Sequence, residues 1–500
     1  MKILSAEQIR KIDAETISRE GISSLELMKR AATAFYRWFI ARYDRKETSV
    51  LIFAGVGNNG GDALVVARML QKAGFPVNVF VVEYSRAYSE DCMHNIRRAK
   101  AENIPCAPIA SENDFPSMEE YDVLIDGIFG TGLNRDVSGL ARDVITRINE
   151  SGKRVISIDV PSGLFLDRET TFAVKASETV TFQIPKLALY LPGNQHFCGD
   201  VWNVDIGLNE GAIAETGTDT FFTRKEEAAA LLKPLSRFTH KGMLGHALLI
   251  GGSFGMTGSI CLASKAALKA GCGLVTAYLP KCGVPVIQSY FPEAMALADQ
   301  QENYLAAIDY TLKPDAVGIG VGMGQHEDTH HALHEFLKQN RAPLVVDADA
   351  LNILARHTDW LSLLPRGTIL TPHPKEFSRL VGEWNDDFEK IRKAREFAKQ
   401  HEVIVVIKGA FSLVIDAETV HVNGSGTPAL ATAGSGDVLT GIITSLRAQG
   451  YPPMDAARLG VYLHGLTADL SREQIHERSF IASDIIDNIG NAYARLERTI

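Results

Sequence analysis

The sequence has no long hydrophobic run and no paired cysteine motif. No window approaches the roughly 18 uncharged apolar residues of a membrane-spanning helix. The charged start of the chain predicts neither a signal peptide nor a transit peptide. The six cysteines are scattered without a CxxC pair, which is typical of reduced thiols rather than a disulfide framework. We therefore expect a cytoplasmic protein without a membrane partner.

Positive charge is also scarce, because the formal net charge is -9. Lysine and arginine form no dense patch with interleaved aromatic residues, so we expect no nucleic-acid partner. Hydrophobic residues at 46% and charged residues at 22% are close to globular averages. A chain of 500 residues exceeds what one hydrophobic core usually supports, which favours two domains.

The first half alternates short apolar runs with segments of helical period, a pattern that predicts βαβ units and a mainly parallel sheet. Helix 62–74 would end with Gly74 just beyond its last turn. We expect a Rossmann-like, doubly wound α/β domain over residues 1–215. Five runs predict strands buried on both faces: 49–55, 77–83, 121–126, 154–159 and 178–182.

Residues 209–219 are small and polar without periodicity, which predicts a boundary between domains. The second half alternates again and predicts a second α/β domain over residues 222–500. The two halves share no repeat period, which favours two different domains. Strands are predicted at 247–250, 274–278, 316–319, 344–347 and 403–408.

Residues 55–63 (GVGNNGGDA) lie between a predicted strand and a predicted helix and contain a GxGxxG pattern. Glycines there let the backbone approach an anion, and the first N–H groups of the helix attract phosphate. With Glu83 about 20 residues on, a NAD-dependent dehydrogenase is one interpretation. The adjacent asparagines and the early carboxylate are unusual for that fingerprint, and amide oxygens also suit hard cations.

Two further segments follow predicted strands, namely 126–136 (DGIFGTGLNRD) and 159–163 (DVPSG). In a doubly wound sheet the carboxyl ends of the strands collect the ligand-binding residues. Asp126 and Asp159 would then open into one crevice with the glycine-rich loop. Ordinary turns and helix caps are the alternative explanation for each segment taken alone.

Together, these three segments resemble the NAD(P)H-hydrate epimerase domain, and the resemblance covers residues 1–210. It implies that Asn59, Asp126 and Ser162 coordinate potassium. It also implies that Asp159 touches the substrate, and we assign the proton transfer to this carboxylate. Two loops would hold the hydrated nicotinamide nucleotide: Asn58, Asn59, Gly60, Gly61, Asp62, Gly130, Thr131, Gly132, Leu133, Asn134, Arg135 and Asp136. A noncatalytic, nucleotide-sensing domain is the alternative.

Residues 431–441 (ATAGSGDVLTG) are glycine-rich and then apolar with helical spacing. The pattern predicts that Gly434, Ser435 and Gly436 lie at a helix N-terminus, with their N–H groups facing an anion. Asp437 would accept a proton from a hydroxyl that attacks a phosphoryl group. A carboxylate favoured by the helix dipole alone is the other explanation.

This segment, GGSFGMTGS (251–259) and TPHPKE (371–376) resemble the ribokinase-like ADP/ATP-dependent NAD(P)H-hydrate dehydratase, over residues 225–495. The resemblance implies a ribokinase-like fold. Ser259 replaces an alanine that is usual in the family, and Lys375 replaces a glycine. Two sets of ligand contacts are implied: Ser259, Gly322, His373 and Asp437 for the hydrated substrate, and Lys408, Gly409, Ala410, Phe411, Ser412 and Gly436 for the nucleotide.

The resemblance implies that hydrated NADH and NADPH (NADHX and NADPHX) are the substrates of both domains. The first domain would epimerise the R and S forms, and the second would dehydrate the S form. ADP would phosphorylate the ring hydroxyl with magnesium present, and elimination would release phosphate and AMP. A small-molecule kinase that leaves a stable phosphoester is the alternative. We also expect a homo-oligomer.

Four histidines between His326 and His334 invite a zinc interpretation. Their helical spacing and polar neighbours favour a solvated helix face instead, and further ligands are not evident.

Overall fold

The structure is a computed structural model that describes residues 1–499. The chain divides into two compact units. The first comprises residues 2–218 with 386–388, and the second comprises Met1 with the rest of the chain from Asp219 onward. No helix within residues 1–499 combines the length and the apolar character needed to cross a bilayer.

The first unit contains a seven-stranded parallel sheet. Its strands are β1 (Val50–Ala54), β2 (Val77–Val82), β3 (Cys106–Ile109), β4 (Val123–Gly127), β5 (Arg154–Ile158), β6 (Glu178–Phe182) and β7 (Asp200–Val204). Its helices are α1 (Ala6–Glu20), α2 (Ser24–Ile40), α3 (Asn58–Lys72), α4 (Glu90–Ala101), α5 (Gly139–Glu150), α6 (Gln195–Cys198) and α7 (Glu210–Glu215).

The strand order β3-β2-β1-β4-β5-β6-β7 reverses between β1 and β4. Ala54 pairs in parallel with Gly127 there, so the loops that follow both strands leave the sheet side by side. Helices α2 and α3 pack on one face of the sheet through residues such as Phe35 and Leu64, and α5 packs on the other through Ile145. The predicted doubly wound α/β architecture is confirmed.

The second unit contains a ten-stranded sheet. Its strands are β8 (Thr220–Thr223), β9 (His246–Ile250), β10 (Leu274–Leu279), β11 (Met295–Ala298), β12 (Ala316–Ile319), β13 (Leu344–Val346), β14 (Ile369–Leu370), β15 (Ile404–Ile407), β16 (Leu413–Ile415) and β17 (Val420–Asn423). Its helices are α8 (Lys225–Ala229), α9 (Thr257–Lys269), α10 (Val284–Tyr290), α11 (Glu327–Gln339), α12 (Ala348–Arg356), α13 (Pro374–Val381), α14 (Asp387–His401), α15 (Ser435–Ala448), α16 (Pro453–Ser471) and α17 (Ala482–Glu497).

This sheet has the order β11-β10-β9-β12-β13-β14-β15-β16-β17-β8 and is parallel from β11 to β15. Strands β15, β16 and β17 pair antiparallel. Buried residues of α15, α16 and α17, among them Ile442, Leu463 and Ile486, form a core against the sheet. The carboxyl ends of the parallel strands face the first turn of α15, and this arrangement positions the second site.

Residues 209–219, where the sequence predicts the domain boundary, contain α7, and the Asn209 side chain accepts from the Ala212 N–H group to cap it. One sequence prediction about local structure is wrong. Helix α3 begins at Asn58 rather than Asp62, after Gly57 in an extended conformation. Gly74 does follow the helix with φ of +90°, as predicted.

Candidate active sites

The glycine-rich loop of the first unit is packed against its own backbone. A Cβ atom on Gly55 would lie 1.9 Å from the carbonyl oxygen of Ile128, and one on Gly60 would lie 1.8 Å from that of Gly55. Glycine at these two positions therefore lets the backbone segments of the first unit pack closely against each other. Gly61 meets the Met28 side chain instead. Asn58 is exposed and Asn59 is buried, so only part of the predicted substrate loop faces solvent.

Asp126 is the last residue but one of β4 and carries a fully buried carboxylate. Its oxygens accept from the hydroxyls of Ser157 and Ser162 and from the Ser162 and Ile128 N–H groups. Burial raises its pKa, and these hydrogen bonds oppose that rise. The Asn59 amide donates to the carbonyl oxygens of Phe129 and Ile158 in the same cluster. The structure thus brings together the three residues predicted to bind potassium.

Asp159 follows β5 with φ of +65°, in the left-handed region that non-glycine residues rarely adopt. Its carboxylate accepts from Lys186 Nζ at 2.7 Å and from the Phe182 N–H group. Lys186 is 1% exposed and also donates to the Thr181 hydroxyl and the Phe182 carbonyl oxygen. Sequence reasoning missed Lys186; its only signal was a lone lysine within an apolar stretch.

Two further carboxylates lie in the electrostatic field of Asp159. Burial and the charge of Asp159 raise the pKa of Asp13 to about 6. The same two effects, with Asp13 and Asp91, raise the pKa of Asp62 well above its usual range. The site therefore combines a carboxylate paired with an ammonium group and two carboxyl groups whose pKa values are raised. Carboxyl groups in such unlike environments can divide the accepting and the donating of a proton between them.

The second predicted substrate loop, residues 130–136, lies close to Asn59 only at its first residue, Gly130. A Cβ atom on Gly130 would lie 3.3 Å from Asn59 Cβ, whereas one on Gly132 would approach only Arg10. Thr131 and Leu133 are partly buried, and Asn134, Arg135 and Asp136 are exposed. Asp136 pairs with Arg168 at 3.4 Å. The structure thus places residues 134–136 on the surface rather than in the buried cluster.

In the second unit, Gly434 caps α15 with φ of +82°, so Ser435 and Gly436 open the helix as predicted. Asp437 lies in the first turn. Burial raises its pKa to about 6, while the Ser259 hydroxyl and the Lys408 charge oppose the rise. A carboxylate with such a pKa changes protonation close to neutral pH, which suits a general base.

Lys408 follows β15 and lies beside this helix end. Its Nζ is 2.8 Å from Asp347 Oδ1 and 3.8 Å from Glu376 Oε2. Burial opposes its charge, yet these carboxylates raise its pKa, so Lys408 is cationic. A Cβ atom on Gly436 would lie 3.4 Å from Lys408 Nζ. Because α15 begins here, the positive end of its helix dipole and the lysine define a site for an anion.

The predicted substrate residues of this unit lie near the same point. A Cβ atom on Gly322 would lie 3.1 Å from Ser259 Oγ, and the Ser259 hydroxyl interacts with Asp437. His373 caps α13 by accepting at Nδ1 from the Lys375 and Glu376 N–H groups. Burial and the charges of Lys408 and Arg379 lower the pKa of His373, which keeps its imidazole neutral.

Residues 409–412 connect β15 to β16. Gly409 and Ala410 are exposed, and Phe411 and Ser412 are partly buried. The Ser412 hydroxyl accepts from the Gly409 N–H group. This turn follows Lys408 directly and presents open backbone next to the anion site. Asp347, which also accepts from the Thr440 hydroxyl, was not predicted as a site residue.

The histidine run lies on α11 and its N-cap, as predicted. His334 stacks on Trp360 with ring centroids 4.3 Å apart, and His357 stacks on the same tryptophan at 4.0 Å. Aromatic packing thus occupies part of this face.

The fold and the two sites define a protein in which a Rossmann-like α/β domain is fused to a ribokinase-like α/β domain. The family model described as YjeF-related protein N-terminus matches residues 24–188, and the model described as NAD(P)H-hydrate dehydratase matches residues 247–491. A crystal structure of ADP/ATP-dependent NAD(P)H-hydrate dehydratase from Bacillus subtilis, obtained with ATP and Mg²⁺, is 28% identical. It covers 56% of this chain and 100% of its own, with a TM-score of 0.50.

Relatives that align over nearly the whole chain identify its family more closely. The bifunctional NAD(P)H-hydrate repair enzyme of Moorella thermoacetica is 34% identical and covers 100% of this chain and 98% of its own. The enzyme of the same name from Coxiella burnetii is 34% identical over 96% and 97% of the two chains. That of Escherichia coli is 30% identical over 97% and 92%. The chain belongs to the family of bifunctional NAD(P)H-hydrate repair enzymes.

Proposed function

We propose that this chain repairs hydrated NAD(P)H in two steps. Residues 1–215 interconvert the R and S forms of NADHX and NADPHX, and residues 222–500 dehydrate the S form with ADP as phosphoryl donor. AMP and phosphate are the other products. The observation that carries the proposal is the position of Asp437, whose pKa is about 6, in the first turn of α15 beside Lys408.

In the dehydratase step, Asp437 removes the proton of the ring hydroxyl. The hydroxyl oxygen then attacks the terminal phosphoryl group of ADP. The N–H groups of Gly434 to Gly436 stabilise the charge on the transferred group. Hydroxide is a poor leaving group, whereas phosphate leaves with the C–O bonding electrons. The neighbouring ring carbon loses a proton, and the ring double bond is restored. Bound magnesium supplies charge neutralisation to the nucleotide oxygens.

In the epimerase step, the hydroxyl-bearing carbon inverts after either the C–O bond or a ring bond opens and re-forms. Asp159 moves the proton, and Lys186 pairs with this carboxylate and fixes its position. Asp62 is the candidate proton donor, because burial and the charges of Asp159 and Asp13 raise its pKa. The left-handed backbone at Asp159 turns its side chain toward these groups, which explains why an unfavourable conformation is retained.

The buried oxygen cluster fits a monovalent cation. Asp126 is a buried carboxylate, and the hydrogen bonds that it accepts within residues 1–499 come from hydroxyl and backbone N–H groups rather than from cationic side chains. The Ser162 hydroxyl donates to Asp126 and contacts the Phe129 carbonyl oxygen, which also accepts from the Asn59 amide. Isolated buried charges are costly unless they are paired. We propose that Asn59, Asp126 and Ser162 hold potassium, which supplies this charge and orders the loop that faces the substrate.

The dehydratase assignment is tested by following NADHX with ADP and magnesium. Release of one phosphate for each NADH formed supports the dehydratase assignment. A stable phosphoester would show that the second domain is a small-molecule kinase instead. The Asp437→Asn variant should lose about 100-fold or more of the rate, because general-base catalysis contributes that much. A fully active variant would contradict the role of Asp437.

The epimerase assignment is tested with one purified epimer in the absence of ADP. Magnetic resonance should show the second epimer accumulating with the wild-type chain. A chain that binds the nucleotide without interconverting the epimers would establish a noncatalytic sensing domain. Potassium is tested by exchange against sodium and lithium, with a matched Asp126→Asn variant that should lose the ion dependence.

A further inference from the structure

The second unit contains a cavity that neither predicted site includes. Its volume is about 490 Å³, and it is lined by Gln325, Asn352, Ala355, Arg356 and Arg379. Asn352, Ala355 and Arg356 lie in α12, and Arg379 lies in α13. Helices α12 and α13 follow β13 and β14, and Gln325 lies in the loop that leaves the carboxyl end of β12.

Two arginines give this cavity a positive lining. Neither Arg356 nor Arg379 forms an ion pair with a carboxylate within residues 1–499. Arg379 donates to Asn352 Oδ1, which holds one guanidinium group against α12. Two unpaired guanidinium groups at one cavity repel each other and present several N–H donors. Such a lining attracts a doubly charged anion, and guanidinium geometry suits phosphate.

An uncharged acceptor completes the cavity. The Gln325 side chain donates from Nε2 to the backbone and carboxylate of Asp349, but its Oε1 is buried without a hydrogen-bond partner. Buried acceptors are normally paired, because an unmade hydrogen bond is costly. A hydroxyl or amino group on a ligand would satisfy this atom.

The same residues connect the cavity to the catalytic centre. Asp349, which binds Gln325, also accepts from the Gly324 N–H group, two residues after Gly322. The charge of Asp349 contributes to the raised pKa of Asp437, and the charge of Arg379 lowers the pKa of His373. A ligand extended from His373 and Asp437 would therefore reach the cavity.

We propose that this cavity is the subsite for a phosphorylated ribose of the hydrated dinucleotide, with Arg356 and Arg379 binding a phosphate group and Gln325 accepting from a hydroxyl. The inference rests on the proposed dehydratase function. The phosphate has two possible sources on the substrate. The 2′-phosphate occurs on NADPHX alone, whereas the pyrophosphate occurs on both substrates.

Steady-state kinetics test the subsite with the full chain, using Arg356→Gln and Arg379→Gln. Each should raise KM for the hydrated substrate about tenfold, the loss expected for one charge-assisted hydrogen bond, with kcat and KM for ADP unchanged. A rise for NADPHX alone assigns the 2′-phosphate, and an equal rise for both substrates assigns the pyrophosphate. The matched control is Arg366→Gln, since Arg366 precedes β14 at the opposite end of that strand.

The inference would be overturned if the variants left KM unchanged for both hydrated substrates, or changed KM for ADP alone. The proposed function is judged separately, by the activity of the wild-type chain. A second readout does not depend on turnover. NADP⁺ should protect Arg356 and Arg379, but not Arg366, from modification by phenylglyoxal, as measured by mass spectrometry. NAD⁺ should protect as well if the pyrophosphate is bound. Absence of protection by NADP⁺ would overturn the inference even if the dehydratase assignment failed.

Discussion

Lys186 Nζ lies 2.7 Å from Asp159 Oδ1, and the lysine is almost completely removed from solvent. Thr181 and Phe182 accept its remaining N–H groups, so the ammonium group is held by three partners. A buried cation with such partners is positioned rather than mobile. The pair therefore fixes the carboxylate that we assign to proton transfer in the first unit.

The Asp159→Asn variant should lose epimerisation and keep dehydration of the S form. Asparagine tolerates the left-handed backbone that Asp159 adopts, so the fold should survive the change. We expect a loss of about 100-fold or more, since general acid–base groups contribute that much. Epimer interconversion is followed by magnetic resonance, and NADH formation from pure S epimer serves as the control. Unchanged interconversion would contradict the assignment.

The Lys186→Met variant should lower the stability of the first unit by about 3 kcal/mol, because it leaves a largely buried carboxylate unpaired. Hydrogen exchange of the β5 and β6 amides reports this loss. The double variant Lys186→Met with Asp159→Asn removes both charges and should regain most of the stability without regaining activity. If the double variant is no more stable than the single one, the pair does not have this electrostatic role.

The dehydratase rate should fall as pH decreases through about 6. Asp437 acts only when ionised, and burial raises its pKa to about 6, so its base form predominates above that pH. The Ser259 hydroxyl lowers this pKa, and Ser259→Ala should shift the acidic limb to higher pH by about one unit or less. The measurement is the pH profile of kcat/KM. A shift to lower pH would contradict the contact.

The Gly436→Ala variant should weaken nucleotide use. A Cβ atom there would lie 3.4 Å from Lys408 Nζ and 3.7 Å from Asp347 Oδ2, so it enters the anion site without a backbone clash. We expect at least a tenfold lower kcat/KM for ADP, as small displacements at the reacting centre cost about that much or more. The control is Gly490→Ala in α17, where the added atom meets nothing. Equal effects of the two would contradict the account.

The central strands could be predicted because they are buried on both faces. Strand β1 consists of continuous apolar residues, and in β5 the four residues after Arg154 are all buried. The edge strands β3 and β7 contain Pro108, Asp200 and Asn203 and are partly exposed. Edge strands need no apolar run, since only part of their surface is covered. Strand β14 has two residues and is too short to show a pattern.

The sites were predictable where glycine and carboxylate lie next to each other in the sequence. Asp126, Asp159 and Asp437 all follow strands or begin a helix, so local pattern places them. Lys186 was missed because it reaches Asp159 only after the chain folds back beyond β6. An ion pair between residues that are distant in the sequence leaves no periodic pattern in it. The available signal was a lysine in an apolar stretch, because a lysine is rarely buried unless it is paired.

The most direct test of the account incubates the full chain with an equal mixture of R and S NADHX, ADP, magnesium and potassium, and follows NADH at completion. The wild-type chain should convert the whole mixture, Asp159→Asn only the S fraction, and Asp437→Asn neither. Conversion by the wild-type chain that stops at the S fraction, or a phosphoester that persists in place of released phosphate, would contradict the claim that one chain carries both activities.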